Sequence, residues 1–229
     1  MPRQRSSRTK TAAQQRRPAS PPEHLEPGEE GLADDTGLDG VRITGDLVAQ
    51  PGDRSITDAR LSASRWSAGR VTGRHFRRLR CVDVVVDNCD LSGVITEDST
   101  LRRVEFHECR MSGIVLAGAR MEDVLFSRCK LDMANLRMLD GLRVEFLDSD
   151  LREADFHAAR LAATGIHDSD LSSADFSRAT PRHLRLHGSH LHELKGASAL
   201  GDVVIGPDQL MDMSMALFND SGITVDEQR

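Results

Sequence analysis

The sequence predicts an all-β solenoid, a four-sided coil of short parallel strands about eight turns long. Three observations carry this. A large apolar residue returns every five positions from Ile56 to Leu191. Of these 28 positions 24 hold Leu, Ile, Val, Phe, Met or Trp, the exceptions being Cys81, Thr96, Gly141 and Pro181. A random arrangement at 38% hydrophobic content would place roughly 11 there. Two residues before each large position sits a small or apolar one, such as Ala59, Val84, Cys89, Val104, Ile114, Ala134 and Ala174, and only Arg54 and Arg74 there are charged. At every fourth large position like side chains recur: Trp66, Val86, Phe106, Phe126, Phe146, Ile166 and Leu186 form one series.

A period of five matches neither a helix (3.6) nor a flat strand (2), so neither element buries this pattern. Two inward residues in five, separated by polar ones, describe one short side of a coil that turns a corner. Four sides make one full turn, after which the chain is back on the same face. Stacked parallel strands about 4.8 Å apart favour like side chains in register, which explains the recurring series. Six of the seven Phe residues occupy large positions, so the scarce aromatics (3%, with one Trp and no Tyr) are concentrated in a narrow core.

Segments such as Ala154-Asp155-Phe156, Ala174-Asp175-Phe176, Ala134-Asn135-Leu136 and Ser149-Asp150-Leu151 resemble the motif of the pentapeptide-repeat family. That motif is a central Leu or Phe, a small residue two before it, and often Asp or Asn between them. The resemblance covers roughly residues 41–205 and implies a right-handed quadrilateral β-helix. Some members of the family are acidic rods that imitate the DNA duplex and bind type II topoisomerases such as gyrase, the basis of quinolone resistance. The resemblance therefore implies a non-catalytic binding protein with a protein partner.

The chain divides into a tail over residues 1–37, the solenoid over 38–205, and a C-terminal helix and tail over 206–229. Residues 1–20 carry +6, through Arg3, Arg5, Arg8, Lys10, Arg16 and Arg17. Residues 21–55 carry −7 and the remainder −5, for a net charge of −6. With Pro18, Pro21, Pro22 and Pro27 and few large apolar residues, the tail is expected to be disordered. Its basic arm suits nucleic acid or another polyanion, or folds back on the acidic segment. Leu38, Ile43 and Val48 follow their own five-residue phase, so an irregular first coil is expected, reset by the Gln50-Pro51-Gly52-Asp53 turn. Such a coil would cap the N-terminal end.

Outward positions hold the functional signal. Arg60, Arg80, Arg120 and Arg160 stack on one side, while acids gather late in the chain. Asp150, Asp155, Asp170 and Asp175, at the outward position of well-matched repeats, are the expected partner-binding residues. Val85, Ile95, Val115, Leu125, Leu142 and Leu147 are apolar at outward positions. Cys89, Cys109 and Cys129 sit in inward small positions, Cys81 in a large one, with no C-x-x-C pair, so free thiols rather than a zinc site are expected. His167, His183, His187, His190 and His192 are read as surface histidines, so no metal and no cofactor is expected. No nucleophile elbow, P-loop or dinucleotide fingerprint occurs, and the chain is read as a non-enzyme.

Gly206-Pro207-Asp208 opens a helix in the favoured way. Leu210, Met211, Met213, Leu217 and Phe218 give it an apolar stripe, with Leu210, Met213, Leu217 and Phe218 the expected dimer contacts, Gly222 ends it, and Ile223 and Val225 are placed to pack back. The stripe is expected to cap the last coil and to support a homodimer, as similar helices do in dimeric family members. With no run of 18 apolar residues and no apolar leader, no membrane span or secretory signal is expected, and the protein is placed in the cytoplasm. The alternative reading is a structural or regulatory scaffold that works through its basic arm.

Overall fold

The computed structural model describes residues 15–28, 31–47 and 55–223. Four residues of the basic arm (Arg3, Arg5, Arg8 and Lys10), Val48, the Gln50–Asp53 turn and Val225 lie outside them. The architecture is a parallel β-solenoid of about eight turns, closed by one C-terminal helix. Strand Arg80–Asp87 pairs with Thr100–His107, then Arg120–Ser127, then Asp140–Leu147, always parallel and always one coil further along. Phe106 opposes Phe126 and Phe126 opposes Phe146, as the recurring series requires.

The corners show why five residues suffice for one side. Two positions after each large residue the backbone is left-handed, at Asp83, Arg103, Asp123, Arg128, Met133, Met138, Arg143 and Glu153 among many others. This region costs a non-glycine residue roughly 1–2 kcal/mol. The corner is held by its neighbours: the Met133 amide donates to the Arg152 carbonyl, Met138 to His157 and Glu153 to Ser172, each on the following coil. The side chain before the large residue often helps. Asp150, Asp155, Asp170 and Asp175 each accept the amide two residues on, at 3.2, 2.8, 3.0 and 2.7 Å. Asn135 does the same for Arg137 at 3.2 Å. This local turn is the physical content of the Asp or Asn in the repeat motif.

The core is one continuous column. From Leu131 to Leu191 the large positions are almost entirely sealed, with Phe126, Phe146, Phe156 and Phe176 among the largest buried side chains. In the N-terminal half the large series is uneven, with Trp66 stacked on Val86 and Leu61 on Cys81. An apolar gap of about 70 Å³ lies there, between Leu61, Trp66, Phe76 and Cys81. The inward ladder Cys89, Cys109, Cys129, Ser149, Ser169, Ser189 remains hydrogen-bonded where thiols give way to hydroxyls. Cys129, Ser149 and Ser169 donate their amides to the hydroxyl one coil later, at 3.1, 3.0 and 3.2 Å.

The first coil follows its own phase. Leu38 opposes Leu61 and Ile43 opposes Trp66, where the regular period would bring Asp58 and Ala63 opposite. This coil is therefore longer than the rest. Glu26–Pro27 then pairs with Val41–Arg42 and covers the end of the sheet.

Three expectations need correction, for the tail, for Met213 and for Ile223. A disordered tail over residues 1–37 does not describe residues 15–28 or 31–37. Leu25 and Leu32 are buried, and Arg16 to Ser20 are bonded to the solenoid, because their amides and one guanidinium find carboxylates there. Val85 and Leu125 point outward yet are only 7% and 6% exposed. Met213 is buried (6% exposed) with Ala216 against this chain's own last coil, so it is not free for a partner.

The C-terminal cap begins with a short 3-10 turn, Pro207–Gln209, before the α-helix Leu210–Asp220. Gln209 is the plug: buried, it donates to the carbonyls of Leu186 and Ser189 and accepts the Gly206 amide at 2.7 Å. At the other end of the helix Asp220 accepts the amides of Gly196 and Ser198. Gly196 is left-handed, and a Cβ there would lie 2.2 Å from the Ser177 amide nitrogen, so the close approach requires glycine. Ile223 hydrogen-bonds the Phe218 carbonyl through its amide, but its side chain is exposed rather than packed back.

Candidate functional site

Each side of the rod presents one outward row, and the strand register specifies each row. Arg60, Arg80, Thr100, Arg120, Asp140 and Arg160 stack on one side. The basic row is therefore real, and Asp140 neutralises Arg160 within it at 3.2 Å. The next row is Arg65, Val85, Glu105, Leu125 and Glu145. The third runs Arg70, Asp90, Arg110, Lys130, Asp150, Asp170 and His190; the fourth runs Ile95, Val115, Asn135, Asp155, Asp175 and Lys195.

The four expected partner-binding aspartates are thus brought together as two stacked pairs on adjacent sides, Asp150 over Asp170 and Asp155 over Asp175. They are not idle charges. One oxygen of each holds its corner. Asp150 also takes a two-point contact from Arg152, at 2.8 and 2.6 Å, and Asp155 takes Arg137 at 2.9 Å. The bond from Arg152 leads in holding the Asp150 carboxyl below the ordinary range. For Asp175 burial pushes up, and the Ser177 contacts outweigh it. Both stay charged at neutral pH; Arg152 and Arg137 offset part of the charge of the four carboxylates, and the patch sits on a rigid frame.

Among the described residues no three His, Cys, Asp or Glu converge as metal ligands. His167 and His187 stack with ring centroids 6.2 Å apart. All four cysteines are free and buried. Of the stripe expected to dimerise, Leu210, Leu217 and Phe218 are exposed, joined by Met211 and Met215, while Met213 is spent on the core.

Sequence reasoning missed a second acidic cluster. Asp83, Glu105, Asp123 and Glu145 line the side crossed by residues 16–20. Arg16 Nη1 donates to Glu105 at 2.8 Å and its Nε lies 3.5 Å from Glu145 Oε2. Arg17 and Ala19 donate their amides to Asp123 and Glu105 at 2.9 and 3.2 Å, and the Ser20 amide helps to lower the Asp83 carboxyl, which Arg103 lowers most. Asp123, itself buried, is gripped from the solenoid by Arg143 at 2.6 Å. The available signal was the +6 block in a chain whose body is acidic.

Residues 143–178 match the family described as pentapeptide repeats, in eight copies. That stretch consists of pentapeptide repeats. The pentapeptide rod is also similar to solved structures at low identity. It is 20% identical to a trypsin-treated form of QnrB1, a plasmid-mediated fluoroquinolone resistance protein, covering 86% of this chain and 95% of that one at a TM-score of 0.49. It is 17% identical to HetL, a pentapeptide repeat protein involved in heterocyst differentiation regulation from the cyanobacterium Nostoc sp. strain PCC 7120. That match covers 76% of this chain and 89% of that one, at a TM-score of 0.31. No curated protein sequence matches. No catalytic family is indicated, and no helix among the described residues is long and apolar enough to cross a membrane.

Proposed function

We propose that the pentapeptide rod is a non-catalytic binding protein whose late acidic face seats in a cationic groove of a DNA-handling enzyme, gyrase or another type II topoisomerase. The observation that carries this reading is the pair of stacked carboxylates, Asp150/Asp170 and Asp155/Asp175, on adjacent sides at coil spacing. A groove built for phosphates accepts such a row. The solenoid is already rigid, so little ordering cost opposes binding. The basic row from Arg60 to Arg160 confines the contact to one or two sides. A homodimer through Leu210, Leu217 and Phe218 belongs to the same reading, because it would join two rods end to end.

The test is supercoiling by the host's gyrase with the protein titrated in, against a variant with all four Asp→Asn changes. Asn keeps the corner contact, as Asn135 already does, so the variant removes charge and leaves the frame. We expect the parent to alter supercoiling or quinolone inhibition at micromolar levels and the variant to need at least about ten times more, the loss of about 1.4 kcal/mol. No effect from either protein, with no co-purification, rejects the reading.

A further inference from the structure

The side of the rod opposite in character to the basic row carries an occupant. Residues 16–20 run along the rod axis, across successive coils, from the level of Glu145 to that of Asp83. Glu105 and Glu145 flank Leu125 in register, and Arg16 hydrogen-bonds Glu105 and ion-pairs with Glu145, so its side chain lies over Leu125. This accounts for an outward leucine that is 6% exposed. In the stretch 17–22, Pro18, Pro21 and Pro22 have no amide hydrogen. Of the three residues that have one, Arg17 and Ala19 donate it to Asp123 and Glu105, and the Ser20 amide helps to lower the Asp83 carboxyl. Such a segment is extended and needs no partner strand.

We propose that this face, made by Asp83, Glu105, Asp123 and Glu145 around Val85 and Leu125, is a docking groove for an extended arginine-bearing, proline-containing peptide of another protein, and that the chain fills it with its own residues 16–20. The proposal is independent of the gyrase reading, which concerns other residues on other sides.

The recognition is explicit. One arginine must reach the Glu105–Glu145 gap, and the residues one, three and four places later must not be proline. The intervening side chains of Arg17, Pro18 and Ser20 are exposed and carry no selectivity. The occupant is weakly held relative to the rod. Between Arg16 and Leu25 no side chain is buried as an anchor, so the segment opens locally while the ladders stay intact. Opening uncovers the outward Leu125, an apolar surface that water serves poorly, and frees the Glu105 and Glu145 carboxylates that hold Arg16. A partner peptide competes against a tethered occupant at an effective concentration on the order of millimolar, so the face is closed by default and opens when the arm is drawn away.

The experiment uses the full chain. A fluorescent peptide copying residues 11–23 is titrated by anisotropy against the parent, Arg16→Ala, and Arg16→Ala combined with Glu105→Gln and Glu145→Gln. We expect the peptide to bind the Arg16→Ala chain at least ten times tighter than the parent, and the triple variant at least ten times weaker than Arg16→Ala. A peptide with its own Arg16→Ala change should bind none of them. Hydrogen exchange on the parent reads the occupant directly: the amides of Arg17 and Ala19 should be protected, and that protection lost in Arg16→Ala. The exchange measurement also shows whether the triple variant keeps its solenoid amides. Lack of protection at Arg17 and Ala19 in the parent overturns the proposal. So does a peptide that binds no variant, or one indifferent to Glu105 and Glu145 in a folded chain.

Discussion

The rings of Phe126 and Phe146 stack face to face, with centroids 4.8 Å apart and planes 7° apart. Phe106 continues the stack at 5.0 Å, and Phe156 meets Phe146 edge-on before stacking on Phe176 at 4.6 Å. The ring separation equals the coil spacing, so each ring fills the full height of its coil. Phe126→Ala therefore leaves a void that the hydrogen-bonded coils above and below cannot close. We expect a loss of about 3–5 kcal/mol in chemical denaturation. A loss under about 1 kcal/mol would mean the stack is not a supporting column.

Cys81, Cys89 and Cys109 are predicted to be inert. Burial pushes Cys81 and Cys89 up to about 12. The contact with Cys129, then burial, raises Cys109. At pH 8 these three hold almost no thiolate, the reactive species. In native protein these three should label with a maleimide at least about a hundred times more slowly than in denaturant. Rapid labelling of the native chain would contradict the buried ladder.

At the C-terminal helix, exposed and buried apolar residues should behave oppositely. Leu217→Lys with Phe218→Lys removes an exposed stripe, and we expect a dimeric parent to become monomeric with its melting temperature nearly unchanged. Met213→Lys buries a charge in the last coil and should cost about 3 kcal/mol or more, loosening the cap. Light scattering with thermal melts separates the two. A parent that is monomeric at high micromolar concentration leaves the helix as a cap alone.

The arm over Glu105 should release in acid. Burial raises the Glu105 carboxyl, but hydrogen bonds from Arg16 and His107 outweigh it and the net shift is downward from 4.5. For Asp123, burial is likewise outweighed by Arg143 and the Arg17 amide, with a net shift downward from 3.8. Depressed carboxyl values mean the docked arm is stabilised above the undocked values and loses that support as pH falls through the docked ones. Exchange protection at Arg17 and Ala19 should be flat from pH 8 to about 5 and collapse below about 4, with about 1 M salt weakening it at neutral pH. Protection unchanged at pH 3 would show that these carboxylates do not hold the arm.

What the sequence determined by itself was everything repetition can encode. Ile56 to Leu191 must point inward because a five-residue period admits no other regular burial, and the likeness of Phe106, Phe126 and Phe146 at every fourth large position specifies which residues stack. The Asp or Asn before the large residue was legible as a motif. Its job at the corner was not, since that depends on where the amide two residues later comes to lie.

Only the tertiary structure decided the rest, because those features rest on contacts without period. Met133 and Arg143 adopt left-handed corners that no local preference favours, held by carbonyls or carboxylates one coil away. Gln209 plugs the last coil, and Met213 turns inward, because an exposed end offers free carbonyls and an uncovered core. Arg16 settles between Glu105 and Glu145, although both lie far along the chain from it, because only the coil brings those two carboxylates to either side of Leu125.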